Sequence, residues 1–177
     1  MNSVAEFENQ FTPKPGRTLI VGSRIYGDKE DRRLRYPGPV GLNVIGADMQ
    51  DGDGVDMRID FERQGLALLP MAHIECMSVL EHSRRPWLMA ENIEKTLEPG
   101  GTLFITVPFI WRVHGYPDDY WRMTISGVKS LFSQIEWTHE AYSGRGLTDE
   151  KGIPSVRSAD DWPCFARTEV CMFGHKV

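Results

Sequence analysis

Residues 79–109 read VLEHSRRPWLMAENIEKTLEPGGTLFITVPF: a helix pattern, a proline-glycine-glycine stop and an apolar strand in immediate succession. Pro86 suits the first turn of a helix, where its missing N–H would have no partner in any case. Met89, Ala90, Ile93 and Leu97 then recur on one helical face, with Glu91, Glu94 and Lys95 turned away, so a helix is predicted from Pro86 toward Glu98. Glu91 and Lys95 stand in the favourable acid-before-base spacing, worth roughly 0.2–0.5 kcal/mol. Pro99 disfavours helix at the residue before it, and Gly100 and Gly101 give the backbone freedom to reverse. The following TLFITV, 102–107, has little polar alternation, which predicts a central strand covered on both faces in a parallel sheet. Upstream, HIECMSVLEH from His73 reads as another strand that leaves its apolar run at Glu81 and His82. Strand, helix, strand is a βαβ unit, and ligands of open α/β sheets bind beyond the carboxyl ends of the strands. Those ends are residues 78–82 and Pro108 onward.

Working outward, RTLIVGSRIYG predicts a strand over 18–21 that breaks at Gly22, where a ligand loop begins. The charged run 28–35 has room for a short helix before YPGPVG ends it. VIGA finishes at Asp48 and VDMRI at Asp60, so two successive strands each end on a carboxylate. Residues 61–72 are too broken by Gly and Pro for a long helix. After Val107 comes an aromatic and charged connection, then a helix in ISGVKSLFSQI, a strand in EWTHEAY, a polar Gly-rich loop over 143–161, and a last strand in RTEVCMFGHKV. This alternation is α/β.

The chain has 177 residues, 41% hydrophobic and 25% charged, which suits one globular domain: a short leader over 1–16 and a single domain over 17–177. A net charge of −5 argues against a nucleic-acid partner. Cys76, Cys164 and Cys171 lack metal-ligand spacing and cannot all pair in one chain, which predicts a reduced, cytoplasmic setting. The acidic N-terminus has no apolar segment of a secretory signal, and no run is long enough to span a membrane.

Gly22 and Asp48 are the two elements of a nucleoside site: a glycine admits a ligand to the backbone, and a carboxylate accepts from both ribose hydroxyls. A strand-ending turn explains Gly22 equally well by itself, and a solvated turn explains Asp48 and Asp60. GSRIYG lacks the GxGxxG of dinucleotide enzymes.

With VLEH and LEPGG at this separation, residues 79–109 resemble the central block of class I S-adenosylmethionine-dependent methyltransferases. The resemblance extends through VGSRIYG, GADMQDGDGVDMRIDFE and HGYPDDYWRMT, which look like a small-substrate branch, and covers the chain from residue 19 to about 132. It implies a Rossmann-like three-layer sandwich, with a mostly parallel sheet and one antiparallel strand near the carboxyl edge. The implied cofactor is S-adenosyl-L-methionine. Gly22 and Ser23 would lie against its methionine part, Asp48 would hold the ribose hydroxyls and Met49 would flank the adenine. Asp60 and Phe61 would recognise the amino edge, and Cys76, Met77 and Ser78 would line the region near the sulfonium. The first loop departs from the family pattern: Ser23, Arg24, Ile25 and Tyr26 fill the interval before Gly27, where a further glycine is usual.

Methyl transfer from a sulfonium asks mainly for in-line placement, which in favourable cases contributes about 7–11 kcal/mol, and for a base where the nucleophile is weak. The candidates on the acceptor side lie in HGYPDDYWRMT: His114 as general base, Tyr116 and Tyr120 to stack on or hydrogen-bond an acceptor, and Arg122 to hold an anionic group. An ordered loop with a Pro117 turn, a packed Trp121 and an Asp119–Arg122 pair accounts for the same residues. His82 reads as a cap on the helix. No metal site is expected, since His114, Asp118 and His139 form no compact motif. The Pro163-Cys164 pair stands too near the carboxyl end for a cytosine-methylating nucleophile, and the Asn-Pro-Pro-aromatic signature is absent. The expectation is methyl transfer to a small-molecule or glycan-like acceptor. The alternatives are a catalytically silent methyltransferase-like binding subunit and a nicotinamide-dependent oxidoreductase. The leader is too short for a complete lid, which predicts an open acceptor site or a lid from another chain, as in a homo-oligomer.

Overall fold

The computed structural model describes residues 4–66, 69–115, 117–143 and 169–177. Its elements are α1 (Val4–Glu8), β1 (Thr18–Val21), a 3-10 turn at Arg32–Arg35, β2 (Val44–Asp48), β3 (Met57–Arg58), β4 (Met71–Met77), a 3-10 turn at Leu80–His82, α2 (Pro86–Thr96), β5 (Leu97–Pro108), α3 (Ile125–Leu131), β6 (Ile135–Ser143) and β7 (Glu169–Lys176). The seven strands form one sheet in the order β3-β2-β1-β4-β5-β7-β6, in which β7 alone runs antiparallel to its neighbours. In register, Ile20 of β1 stands between Gly46 of β2 and Glu75 of β4. This is the α/β Rossmann-like sandwich expected, and the antiparallel β7 between β5 and β6 departs from the 3-2-1-4-5-6 order of dinucleotide enzymes.

The period of two along each strand divides the sheet into unlike faces. Leu19, Val21, Ile45, Ala47, Ile74, Leu103 and Ile105 point to the face covered by Met89, Ala90 and Ile93 of α2 and Val128 of α3, forming the main core. Ile93 is fully buried there, and its truncation to alanine would cost about 2–5 kcal/mol. On the opposite face Phe7 of α1 stacks on Phe104 at 6.0 Å, and Phe11 on Phe173 at 3.9 Å. That face also carries a polar network. Glu75, buried in β4, pairs with Arg32, and Arg32 also reaches Glu8. The Tyr36 hydroxyl donates to Glu75 at 2.6 Å and lies 3.2 Å from His73 Nε2, a contact that is a hydrogen bond when Nε2 carries the proton. Burial drives the His73 pKa down to about 4, so the ring is neutral. The charged run 28–35 thus forms a 3-10 turn that covers a sheet face.

Other expectations change in detail. β5 begins at Leu97, which pairs with Met71 before Gly100 takes φ +69°, so strand pairing starts ahead of the reversal. The third strand is two residues long. Glu94, expected on the solvent face of α2, is buried and accepts from Gln134 N at 2.6 Å and Ser133 Oγ at 3.3 Å. The helical period placed its backbone correctly, but a contact from the loop after α3 covers it. The expected loop over 143–161 lies, beyond Ser143, outside the described residues. Among the described residues, no helix is long and apolar enough to cross a membrane.

Candidate active site

A cavity of about 510 Å³ opens at the carboxyl ends of the parallel strands. Gly22, at the end of β1, has φ +71°, and a Cβ there would meet Val79 Cγ2 at 2.4 Å, so the position requires glycine both for its conformation and for this close approach. Asp48 closes β2 in an Asx-type turn: Oδ1 accepts from Gln50 N at 2.9 Å, and Oδ2 from Arg24 N at 3.4 Å. Asp60 repeats the device after β3, with Oδ1 accepting from Glu62 N at 2.9 Å and Oδ2 paired to Arg63 at 3.1 Å. A carboxylate offers about four acceptor positions, so each aspartate keeps capacity for a ligand. Ser78, just beyond β4, is the one non-glycine among the described residues with positive φ, at 53°. Backbone held in that sparsely populated region concentrates at functional sites.

Gly22, Asp48, Met49, Asp60, Phe61, Met77 and Ser78 all line the cavity, as do His114 and Tyr120 from the segment after β5. Ser23, Cys76 and Arg122 do not. Cys76 is fully buried in the core under α2. Ser23 has its hydroxyl buried without a hydrogen-bond partner. Arg122 instead grips Asp119, donating through Nη1 at 2.6 Å and Nη2 at 2.7 Å. Tyr116 lies outside the described residues.

The segment after β5 is docked by its backbone and rings. Tyr120 N donates to Glu81 O at 2.8 Å, Met123 N to Pro108 O at 3.1 Å, and Trp121 Nε1 to Ser83 O at 2.8 Å. The Tyr120 hydroxyl donates to Asp118 at 2.7 Å and accepts from Arg84 at 2.8 Å. The Arg122 guanidinium holds the Asp119 carboxyl well below the usual carboxylate range. Ionised Asp119 accepts from His114 N at 2.8 Å and faces His114 Nδ1 at 3.0 Å. A carboxylate can only accept, so Nδ1 carries a proton, and in the neutral ring the lone pair is on Nε2. His82 is held likewise: Nδ1 donates to the Asp118 carbonyl at 2.6 Å, and burial lowers its pKa, leaving a neutral ring. The N-cap position of α2 belongs to Arg85, so His82 is not the helix cap the sequence suggested.

Sequence reasoning missed two features. Glu62 joins the two sides of the cavity, accepting from Ser83 Oγ at 2.9 Å, Arg84 N at 2.7 Å and Arg85 Nε at 3.1 Å. Glu81 is fully buried, neither of its carboxylate oxygens has a hydrogen-bond partner, and burial raises its pKa to about 8. Its place at the end of VLEH was the only signal in the sequence.

No protein-family model matches the chain, and no curated protein matches it significantly in sequence. Solved structures do. An S-adenosylmethionine-dependent methyltransferase from Mesorhizobium loti aligns over 97% of this chain and 96% of its own, with TM-score 0.59 and 12% identity. The 1,6-didemethyltoxoflavin-N1-methyltransferase of Burkholderia thailandensis, solved with 1,6-didemethyltoxoflavin and S-adenosylhomocysteine bound, covers 93% of this chain and 72% of its own, at TM-score 0.60 and 16% identity. The N-methyltransferase NodS of Bradyrhizobium japonicum, in complex with S-adenosylhomocysteine, covers 91% and 78%, at 0.56 and 11%. The chain therefore carries the Rossmann-like fold of class I S-adenosylmethionine-dependent methyltransferases, as the resemblance in residues 79–109 implied.

Proposed function

We propose that the chain transfers a methyl group from S-adenosyl-L-methionine to a small-molecule or glycan-like acceptor. The observation that carries this reading is the convergence of Gly22, Asp48, Asp60, Phe61 and Ser78, from four separate strand ends, on one cavity that His114 also lines. These residues fit the cofactor chemically. Asp48 retains acceptor capacity for ribose hydroxyls, Asp60 and Phe61 offer a carboxylate and a ring to an adenine, and Gly22 presents backbone with no side chain. When bound, S-adenosylmethionine supplies an electrophilic methyl group. From the segment after β5, Nε2 of the neutral His114 ring takes the acceptor's proton, while Asp119 orients the ring and stabilises the imidazolium that results. Tyr120 positions the acceptor against that nitrogen. The structural neighbours bound to S-adenosylhomocysteine support the cofactor, and the 1,6-didemethyltoxoflavin-N1-methyltransferase acts on a small molecule.

A binding subunit without turnover is the second reading. What favours it is the first loop, where Arg24 stacks over Tyr26 at 5.0 Å and both side chains line the cavity. One experiment separates the two: purified protein is equilibrated with isotopically labelled S-adenosylmethionine, then screened by mass spectrometry against small-molecule and glycan acceptors. Transfer of label supports the enzyme. Tight cofactor retention with no transfer to any acceptor supports the subunit, and absence of cofactor binding removes both.

A further inference from the structure

A cluster that methyl transfer alone does not explain shares His114 with the proposed methyl site. Glu81 is the residue least expected where it stands: its side chain is fully buried and both carboxylate oxygens lack a hydrogen-bond partner. An isolated carboxylate is costly to desolvate unless something compensates it. Two imidazole nitrogens face it. His82 Nε2 is 3.7 Å and His114 Nε2 3.9 Å from Glu81 Oε1, too far for hydrogen bonds. One ligand atom from each of the three residues lies within 4.8 Å of the other two.

We propose that Glu81, His82 and His114 form a binding site for a divalent first-row transition metal of the zinc type. Two imidazoles and one carboxylate are a ligand set of open, three-residue metal centres. Ligand atoms around a tetrahedral zinc stand about 3.3 Å apart at metal–ligand bonds of about 2.0–2.1 Å. The cluster therefore needs to contract by only about half an ångström on those two edges. The outer shell is already in place. The Nδ1 of His82 donates to the Asp118 carbonyl and that of His114 faces Asp119, which Arg122 holds in turn, so in the neutral rings both Nε2 lone pairs are presented as metal ligation requires; with metal bound, His114 Nε2 is a ligand and no longer the base of the metal-free protein. His82 and His114 line the cavity while Glu81 closes the cluster from behind, so the open coordination position faces the cleft, where a water or an oxygen of a bound small molecule completes it.

The test is made on full-length protein without S-adenosylmethionine, so that its outcome is separate from that of the methyl-transfer reading. After chelator treatment and exchange, Zn²⁺ is titrated by calorimetry, and Co²⁺ by its visible absorption. One equivalent is expected, with the Co²⁺ spectrum of a four- or five-coordinate nitrogen and oxygen site. His114→Ala and His82→Ala should each weaken Zn²⁺ by at least about tenfold. Asp119→Asn, which alters only the outer shell, should weaken it by about 10–100-fold. His175→Ala, remote from the cluster, should leave the affinity unchanged. Circular dichroism confirms the fold of each variant, and Glu81→Gln is read only if folded. No binding by folded wild-type protein overturns the proposal, as does stoichiometric binding that survives the combined loss of His82 and His114 or is abolished by His175→Ala.

Discussion

On the β1–β3 side of the cleft, each candidate side chain is fixed by the turn that ends its own strand, whereas on the β4–β5 side the candidates are fixed by segments that meet only in the fold. Asp48 bonds the amide two residues ahead of it, and Asp60 does the same. His82 is instead held by a carbonyl 36 residues away. Local geometry of the first kind survives loss of a neighbour. On the second side, links inside one segment, Arg122 to Asp119 to His114, combine with the docking of that segment on residues 81–83, so one break propagates. The two sides should therefore respond differently to substitution: the first through cofactor affinity, the second through rate.

The largest effect is expected from His114→Ala. Single-turnover methylation at saturating cofactor should fall by about 10²–10⁴-fold with cofactor affinity unchanged, because the group acts only on the acceptor side. A loss of cofactor binding instead would erase the distinction between the two sides. Next comes Asp48→Ala, the mirror experiment. Removing hydrogen bonds to a charged acceptor should cost roughly 1.5–3 kcal/mol of S-adenosylmethionine affinity by calorimetry, with the rate preserved once cofactor saturates. Unchanged affinity would remove the ribose role.

This contrast also decides what could be read in the sequence. The strands ending at Val21 and Asp48, the strand through His73 and the helix from Pro86 were visible because apolar runs and their stops are local signals, and the candidates Gly22, Asp48 and Asp60 came with them; the apolar run after His73 continues past Met77 into a 3-10 turn. His114 was visible as a type of residue but not as a member of a cluster, since its neighbour Glu81 belongs to another strand end. A glutamate is read as exposed by default. Both Glu81 and Glu94 break that rule through long-range contacts that periodicity cannot encode. The same limit hid α1 and the residues after it: Phe7 and Phe11 matter because they stack on Phe104 and Phe173 of distant strands.

Gly22→Ala probes where the two sides touch. An L residue held at φ +71° costs about 1–2 kcal/mol, and the new Cβ would press on Val79, which leads into the turn carrying Glu81 and His82. A denaturant midpoint shifted by that amount, with weakened cofactor binding, is expected. A variant with wild-type stability and affinity would show that this loop relaxes freely and that Gly22 is not required.

The smallest effect concerns Glu62, the carboxylate that joins the two sides. Burial works to raise its pKa, but the hydrogen bonds from the Ser83 hydroxyl and the Arg85 guanidinium, together with the backbone of Arg84, outweigh it and hold the group below the usual 4.5. A depressed carboxylate binds fewer protons folded than unfolded, so its contribution is complete above that usual value and disappears as pH falls through the folded one. Arg85 is half exposed, which limits the ionic part to about 0.5–1 kcal/mol. Glu62→Gln keeps an acceptor for Ser83 and Arg84 but loses the charge. The variant should be less stable than wild type by that amount at neutral pH, and the two denaturation midpoints should converge below the carboxylate range. A difference that persists unchanged into acid would mean that Glu62 joins the sides of the cleft by shape and neutral hydrogen bonds, with its charge contributing nothing.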